Sequence, residues 1–197
     1  MGSGPSDAAG PPLATFKILI AGGFGAGKTT FVGAISEVRP LRSEEVISSA
    51  SAGVDDLSGV DNKVTTTVAM DFGRITIGGR LLLYLFGTPG QDRFWFMWDE
   101  LAYGALGAVV LADTRRLDDC FPSVDYFEKC QLPFVVAINC FDGAPRYDPA
   151  DVRIALDIDP EVPAWLCDAR NPASVKQVLI TLVEHVLATR HPGAEGE

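Results

Sequence analysis

The 197-residue sequence has no long apolar run. None of its hydrophobic stretches approaches the roughly 20 residues that cross a bilayer. The sequence also lacks the signal-peptide pattern of a basic segment followed by an apolar stretch near its start. We therefore expect a cytoplasmic protein with no membrane span, recruited to a membrane face only through partners.

Basic residues and metal-binding patterns are also scarce. Lys and Arg number 16 against 26 Asp and Glu, which gives a net charge of −10. This charge repels phosphate backbones, so we expect no nucleic-acid partner. The cysteines show no C-x-x-C spacing, and the two histidines form no metal pattern with them. We expect reduced thiols that pack as small hydrophobic groups at Cys120, Cys130, Cys140 and Cys167.

Short apolar runs bounded by glycine or polar residues predict buried β-strands. Gly78-Gly79 separates two of these runs and predicts an antiparallel hairpin. Helical stretches lie between the other runs. The clearest helix follows Asn171 as its cap and Pro172 at its first position. The pattern predicts an α/β domain with a mostly parallel sheet. The predicted strands are 16–22, 70–77, 80–86, 105–113, 133–139 and 162–169.

The sequence Gly22–Thr30, GGFGAGKTT, fits the phosphate-binding pattern G-x-x-x-x-G-K-[ST] between a predicted strand and a predicted helix. Glycines let the backbone amides surround phosphate, and the helix N-terminus adds its positive dipole. Lys28 is expected to reach the β- and γ-phosphates and to act in catalysis. Thr29 is expected to bind Mg²⁺. The candidate nucleotide-binding residues here are Gly23, Phe24, Gly25, Ala26, Gly27, Lys28, Thr29 and Thr30.

Asn139 and Asp142 lie three residues apart at the end of a predicted strand, and they favour guanine as the base. One carboxylate can accept hydrogen bonds from both N1–H and N2–H of guanine. Adenine has an acceptor at N1 and no amino group at C2, so the same carboxylate disfavours it. An Asx turn that only caps the strand is the alternative interpretation.

Taken together, the motifs GGFGAGKT, TTT, GTPGQ, NCFD and CDA occur in the order typical of Ras-like small GTPases. The resemblance covers Phe16 to Arg190, and more narrowly the sequence resembles the GTPases of actinobacterial conservon operons. It implies a P-loop GTPase fold: a six-stranded, mostly parallel sheet with one antiparallel strand and about five helices. It also implies a GTP/GDP switch with slow hydrolysis. We expect a GTPase domain at 15–191 between disordered tails at 1–14 and 192–197.

The resemblance assigns further roles by position. Thr67, or Thr66 one residue earlier, would bind Mg²⁺ and the γ-phosphate. The Gly90 amide would contact the γ-phosphate, and Gln91 would orient the attacking water as a catalytic residue. The last base-binding loop would consist of Cys167, Asp168 and Ala169.

The sequence departs from the family pattern at three positions. Gly87 stands where an Asp normally holds Mg²⁺, so metal binding would depend more on Thr29 and Thr67. Cys140 replaces the Lys that covers the guanine face. Phe24 occupies a P-loop position that is often small, where its bulk could slow hydrolysis or pack aside.

The segment Phe94–Trp98, FWFMW, holds more aromatic surface than one helix face can bury. We interpret it as a partner surface that responds to the nucleotide. The conservon resemblance implies a roadblock-type partner and a membrane histidine-kinase-like component.

Two other functions stay open. Gly87 is compatible with a nucleotide-binding pseudo-GTPase scaffold that has no turnover. An ATP-using P-loop enzyme would need a substrate-binding insertion, for which the sequence offers only the polar segment 37–63. We expect this segment to be a long loop.

Overall fold

The computed structural model describes residues 14–39, 41–48, 65–90 and 97–190, with the backbone alone at 41–48 and 65–69. Within these residues strands and helices alternate along the chain. The strands are β1 Ala14–Ala21, β2 Leu41–Ser48, β3 Thr65–Ile77, β4 Leu81–Gly87, β5 Ala105–Ala112, β6 Phe134–Asn139 and β7 Ala164–Cys167. The helices are α1 Lys28–Ile35, α2 Trp98–Ala102, α3 Phe121–Lys129, α4 Pro149–Ala155 and α5 Pro172–Arg190.

The strands form one sheet in the order β2-β3-β4-β1-β5-β6-β7. All neighbouring pairs are parallel except those of β3, which runs antiparallel to both β2 and β4. This confirms the predicted α/β class with one antiparallel strand. The six predicted strands are present, and β2 is a seventh strand that the predicted six-stranded sheet did not include. The parallel strands β1, β4, β5 and β6 all end at the same edge of the sheet, where their following loops meet.

The prediction of a loop throughout 37–63 was wrong for residues 41–48, because β2 lies there. Its sequence, LRSEEVIS, is largely polar and does not alternate cleanly, so it gives a weak strand signal. The strand is nevertheless paired residue by residue with β3, from Leu41 opposite Phe72 to Ser48 opposite Thr65. Tertiary pairing overrides local preference here. The remainder, 49–63, lies outside the described residues.

The hairpin between β3 and β4 is confirmed. Gly78 and Gly79 have φ angles of 59° and 68°, and Arg80 N donates to Ile77 O. Two consecutive positive φ angles are the signature of the tight hairpin turn that glycine adopts without strain. The turn sets the register that places Phe72 opposite Phe86.

Two hydrophobic layers cover the two faces of the sheet. Because side chains alternate along a strand, Ile18 and Ile20 of β1 pack in the layer beneath α1 and α5. Leu19 and Ala21 pack in the layer beneath α2, α3 and α4. In this second layer Trp98 is buried, with its ring centroid 5.1 Å from that of Tyr126. The proposed partner surface at 94–98 therefore does not include Trp98, and residues 94–96 lie outside the described residues.

The thiols are less uniform than expected. Cys120 and Cys167 are buried, and burial raises the pKa of each to about 11. Cys140 is half-buried and Cys130 is exposed, so Cys130 does not act as a core residue. No helix in the described part of the chain is long and apolar enough to cross a membrane.

Helix α5 begins as predicted. The Asn171 side-chain oxygen accepts from the Ala173 amide at 2.9 Å and from the Ser174 amide at 3.4 Å. Apolar side chains at three- and four-residue spacing on α5 are buried at Val175, Val178, Leu179, Leu182 and Val186. Val183 is half-buried, and Leu187 is 57% exposed. The three- and four-residue spacing of apolar residues continues into the final turn of α5, where the Leu187 side chain no longer packs against the core.

Leu179 and Leu187 of α5 provide a matched test of this packing. Leu179 is fully buried. We expect Leu179→Ala to lower the free energy of unfolding by about 2–5 kcal/mol, because it leaves a cavity in the layer beneath α5. Leu187→Ala should change it by no more than about 0.5 kcal/mol. Urea denaturation of both variants measures the difference, and equal losses would contradict this assignment of the helix face.

Candidate functional site

The loop Gly22–Gly27 joins β1 to α1 at the carboxyl edge of the sheet. Gly27 has φ +105°, and a Cβ there would lie 2.5 Å from the Asn139 amide nitrogen. Gly22 has φ +132°, and a Cβ there would lie 2.4 Å from Leu111 O. Both positions therefore require glycine for conformation and for space. The loop is held against the ends of β5 and β6, with its amides ahead of the α1 N-terminus.

The Lys28 ammonium lies back over this loop. It donates to Gly22 O and Gly23 O, both at 2.7 Å. Burial lowers its pKa to about 8, partly offset by the nearby charges of Asp71 and Asp119. A desolvated cation beside an anion-binding loop is suited to phosphate, since a phosphate would restore the charge interactions that burial removes.

A cleft of about 380 Å³ opens beside Lys28. At its wall, the Thr29 hydroxyl donates to the Asp71 carboxylate at 2.6 Å. Gly90 lies close to the loop, and a Cβ there would be 2.7 Å from Lys28 Nζ. The described residues lining the cleft are Phe24, Gly25, Gly27, Lys28, Thr29, Thr30, Asp71, Thr88, Pro89 and Gly90.

Asp71 is a site residue that the sequence analysis missed. It lies within β3, where a carboxylate interrupts a run of apolar residues, MDFGRITI. Continuing the hairpin register one step beyond Phe72 and Phe86 places Asp71 opposite Gly87. That register was available from the Gly78-Gly79 turn, so counting back from the turn could have found it.

The structure does not bring Thr67 to Thr29. Thr67 is paired with Val46 inside β3, four residues before Asp71. Four residues of extended strand span about 13 Å, so the backbone of Thr67 lies far from the Thr29–Asp71 pair. Gln91 lies outside the described residues, and its predicted role stays a prediction.

A second pocket, of about 300 Å³, adjoins the cleft through Gly27 and Thr30. Asn139 lies beneath it, 5% exposed. Its amide nitrogen donates to Ala26 O at 2.9 Å, and its amide oxygen accepts from Ala169 N at 3.1 Å. In this structure Asn139 therefore joins two loops, and the Ala169 amide is already engaged.

Asp142 lies at the rim of this pocket, and Arg170 holds its carboxylate. Arg170 donates to the two Asp142 oxygens at 2.7 and 3.1 Å, and it also binds Asp168 at 2.9 and 3.0 Å. These hydrogen bonds lower the pKa of both carboxyl groups. Arg170 is a residue of this pocket that no sequence motif indicated, although it directly follows the CDA motif.

A second guanidinium also lines this pocket. Arg115 lies 3.9 Å from the centroid of the Phe141 ring and is paired with buried Asp113 at 2.7 and 2.8 Å. These bonds lower the pKa of Asp113. Arg115 and Arg170 place positive charge at this pocket, where Cys140 stands instead of the Lys of the family pattern.

Phe24 is 68% exposed and lies at the mouth of the cleft beside Lys28. Its carbonyl accepts a hydrogen bond from Arg116, which follows β5. The Phe24 ring therefore does not pack into the core beneath the sheet, and its bulk lies beside Gly90 at the cleft mouth.

Comparisons with known proteins agree with this geometry. A family model described as "Conserved hypothetical ATP binding protein" matches residues 20–189. The chain is 32% identical over 119 residues to Ras-related protein RABC2a of Arabidopsis thaliana, covering 58% of this chain and 46% of that protein. It is 30% identical over 146 residues to ADP-ribosylation factor-related protein 1 of Rattus norvegicus, covering 73% of this chain and 63% of that protein. The chain thus spans less than two thirds of either relative.

Among solved structures, the G domain of the T. maritima FeoB iron transporter superposes with a TM-score of 0.61 at 17% identity. The match covers 87% of this chain and 98% of that domain. This likeness shows the fold, and the P-loop and strand order described above agree with it. The chain belongs to the family described as conserved hypothetical ATP binding protein, and it is a small P-loop protein with the GTPase fold.

Proposed function

We propose that this protein is a regulatory switch that binds GTP and GDP with Mg²⁺ and hydrolyses GTP slowly. The observation that carries the proposal is the position of Asp142. Its carboxylate lies at the rim of a pocket that continues, through Gly27 and Thr30, into the cleft at Lys28. A nucleotide bound across both spaces would place its phosphates at Lys28 and its base at Asp142.

The proposal assigns guanine as the base, whereas the family description names ATP. A carboxylate offers only acceptors, which match the two adjacent donors of guanine and oppose the N1 acceptor of adenine. In the structure Arg170 occupies both Asp142 oxygens. A guanine would displace Arg170 from Asp142, where the ion pair is exposed to water, and Arg170 would keep its hydrogen bonds to Asp168.

Replacing Asp142 by Asn tests the base. We expect the unaltered protein to bind GDP at least about tenfold more tightly than ADP, since a charge-assisted pair of hydrogen bonds is involved. In Asp142→Asn the side chain offers one donor and one acceptor, which suit the C2 carbonyl and N1–H of xanthine. The preference should move from GDP to XDP.

Calorimetric titration with GDP, ADP and XDP measures this change. Tight XDP binding by Asp142→Asn also shows that the variant is folded. If the unaltered protein binds ADP as tightly as GDP, the guanine assignment fails and an ATP-using function is favoured.

In the proposed reaction the protein binds and positions the phosphates. The P-loop amides and Lys28 would neutralise the β- and γ-phosphates, and Thr29 would bind Mg²⁺, which supplies charge stabilisation when bound. Gln91 would orient the attacking water, and the Gly90 amide would hold the γ-phosphate. Such sites hydrolyse slowly when no arginine neutralises the developing charge.

Lys28 gives a proton signature of phosphate binding. Its pKa of about 8 in this structure means that the amine is mostly neutral at pH 9. Phosphate favours the charged form and raises this pKa, so GDP binding at pH 9 should take up most of one proton, and at pH 7.5 much less.

Calorimetry in two buffers of different ionisation enthalpy measures this uptake. The measurement is made in the Cys140→Ser variant, so that no thiol lines the pocket that contains Asp142. Proton uptake that does not increase between pH 7.5 and pH 9 would contradict the proposed contact of Lys28 with phosphate.

Single-turnover hydrolysis separates the slow GTPase from a pseudo-GTPase scaffold. We expect phosphate release on the order of 10⁻³ s⁻¹ or below, as in unassisted small GTPases. Lys28→Ala provides the background rate for this measurement. A protein that binds GTP but releases no phosphate above that background is a scaffold.

The conservon resemblance supports the further proposal that the switch signals to a roadblock-type protein. The same resemblance supports recruitment to the membrane face through a histidine-kinase-like component. Both partners rest on the motifs at Gly22–Thr30 and 87–98. Co-purification of the GTP-loaded and GDP-loaded protein with such partners tests the proposal, which requires a preference for one nucleotide state.

A further inference from the structure

We propose that Asp71 is the carboxylate of the magnesium site, taking the place of the Asp that is missing at Gly87. This inference rests on the proposed nucleotide function. It assigns the metal-binding role to β3, whereas the family pattern assigns it to the end of β4.

The first observation is the contact between Asp71 and Thr29. The Thr29 hydroxyl, in the first turn of α1, donates its hydrogen to Asp71 Oδ2 at 2.6 Å. A hydroxyl has one hydrogen and two acceptor lone pairs. The donation to Asp71 leaves both lone pairs free for a cation, so one carboxylate orients the hydroxyl and adds a second hard oxygen beside it.

The second observation is the space opposite Asp71. A Cβ on Gly87 would lie 3.0 Å from Asp71 Cβ and 3.3 Å from Asp71 Oδ2. A side chain at position 87 and the side chain of Asp71 therefore compete for the same volume. The glycine at 87 is what allows a carboxylate from the adjacent strand to occupy this place.

Other carboxylates near the P-loop are engaged elsewhere. Asp113 is bound through both oxygens by Arg115. Asp119 lies 3.6 Å from Arg116 and packs against Gly23. Among the described residues that line the cleft, Asp71 is the one carboxylate.

This donor set fits Mg²⁺. The ion prefers oxygen ligands and is usually held by one or two carboxylates together with substrate phosphates. The described part of the chain has no cluster of three or more His, Cys, Asp or Glu side chains for a metal. Thr29 and Asp71 would thus share the ion with the nucleotide.

The test uses the full chain loaded with a fluorescent GDP analogue, whose release is followed over a series of free Mg²⁺ concentrations. Mg²⁺ should slow release from the unaltered protein. In Asp71→Asn, the Mg²⁺ concentration needed for half of this effect should rise by about tenfold to a hundredfold. Release in EDTA should not become faster, because the phosphate contacts remain.

Asp119→Asn is the matched control. It removes another carboxylate that acts on the charge of Lys28 but does not contact Thr29. Its half-effect concentration should stay within about twofold of the unaltered value, since the Asp119 carboxylate is exposed to solvent and paired with Arg116. A shift as large as that of Asp71→Asn would show a general charge effect and overturn the proposal.

A double variant separates metal binding from folding. Asp71→Gly combined with Gly87→Asp returns the carboxylate to β4 and should restore most of the Mg²⁺ response that Asp71→Gly alone loses. If Asp71→Asn binds GDP with an unaltered Mg²⁺ response, Asp71 is not in the metal site and the nucleotide function stands. If the unaltered protein binds no nucleotide, both proposals fail.

Discussion

The Asn139 side chain joins the loop Gly22–Gly27 to the pocket lined by Asp142. It is almost fully buried, it donates to Ala26 O, and it accepts from the Ala169 amide. A buried amide that lost either partner would carry an unsatisfied polar group, at a cost of about 1–3 kcal/mol. This pair of bonds therefore fixes the distance between the cleft beside Lys28 and the pocket lined by Asp142, and Gly27 must lack a side chain to allow it.

Charged residues near the ends of the strands line both the cleft beside Lys28 and the pocket that contains Asp142. Lys28 lies desolvated over the P-loop, which makes it responsive to an anion, and Asp71 lies close enough to offset part of the burial effect on its pKa. In the pocket lined by Asp142 the carboxylates outnumber the cation that binds them, since Asp142 and Asp168 share Arg170 at the surface. One end of the site thus carries a desolvated cation, and the other carries carboxylates that are bound by Arg170.

The sheet order brings these groups together. β1 lies between β4 and β5, and β6 follows β5, so the loops after β1, β5 and β6 leave the same edge. Because β3 runs antiparallel to β4, Asp71 lies opposite Gly87, the last residue of β4, at that same edge. In the sequence, Asp71 is 42 residues from Thr29, although their oxygens are 2.6 Å apart.

The sequence by itself determined the elements whose signals are local. The P-loop needs glycine at fixed backbone angles, the Gly78-Gly79 turn selects a hairpin, and Asn171 caps α5, so short patterns were sufficient for these features. Tertiary structure decided what depends on pairing between distant segments. The polar strand β2 exists because β3 supplies its hydrogen bonds, and Leu187 is exposed because α5 extends past the core. Arg170 meets Asp142 through the packing of two loops. The Gly78-Gly79 turn sets the β3–β4 register that places Asp71 opposite Gly87, but Asp71 reaches Thr29 only because the sheet also pairs β4 with β1.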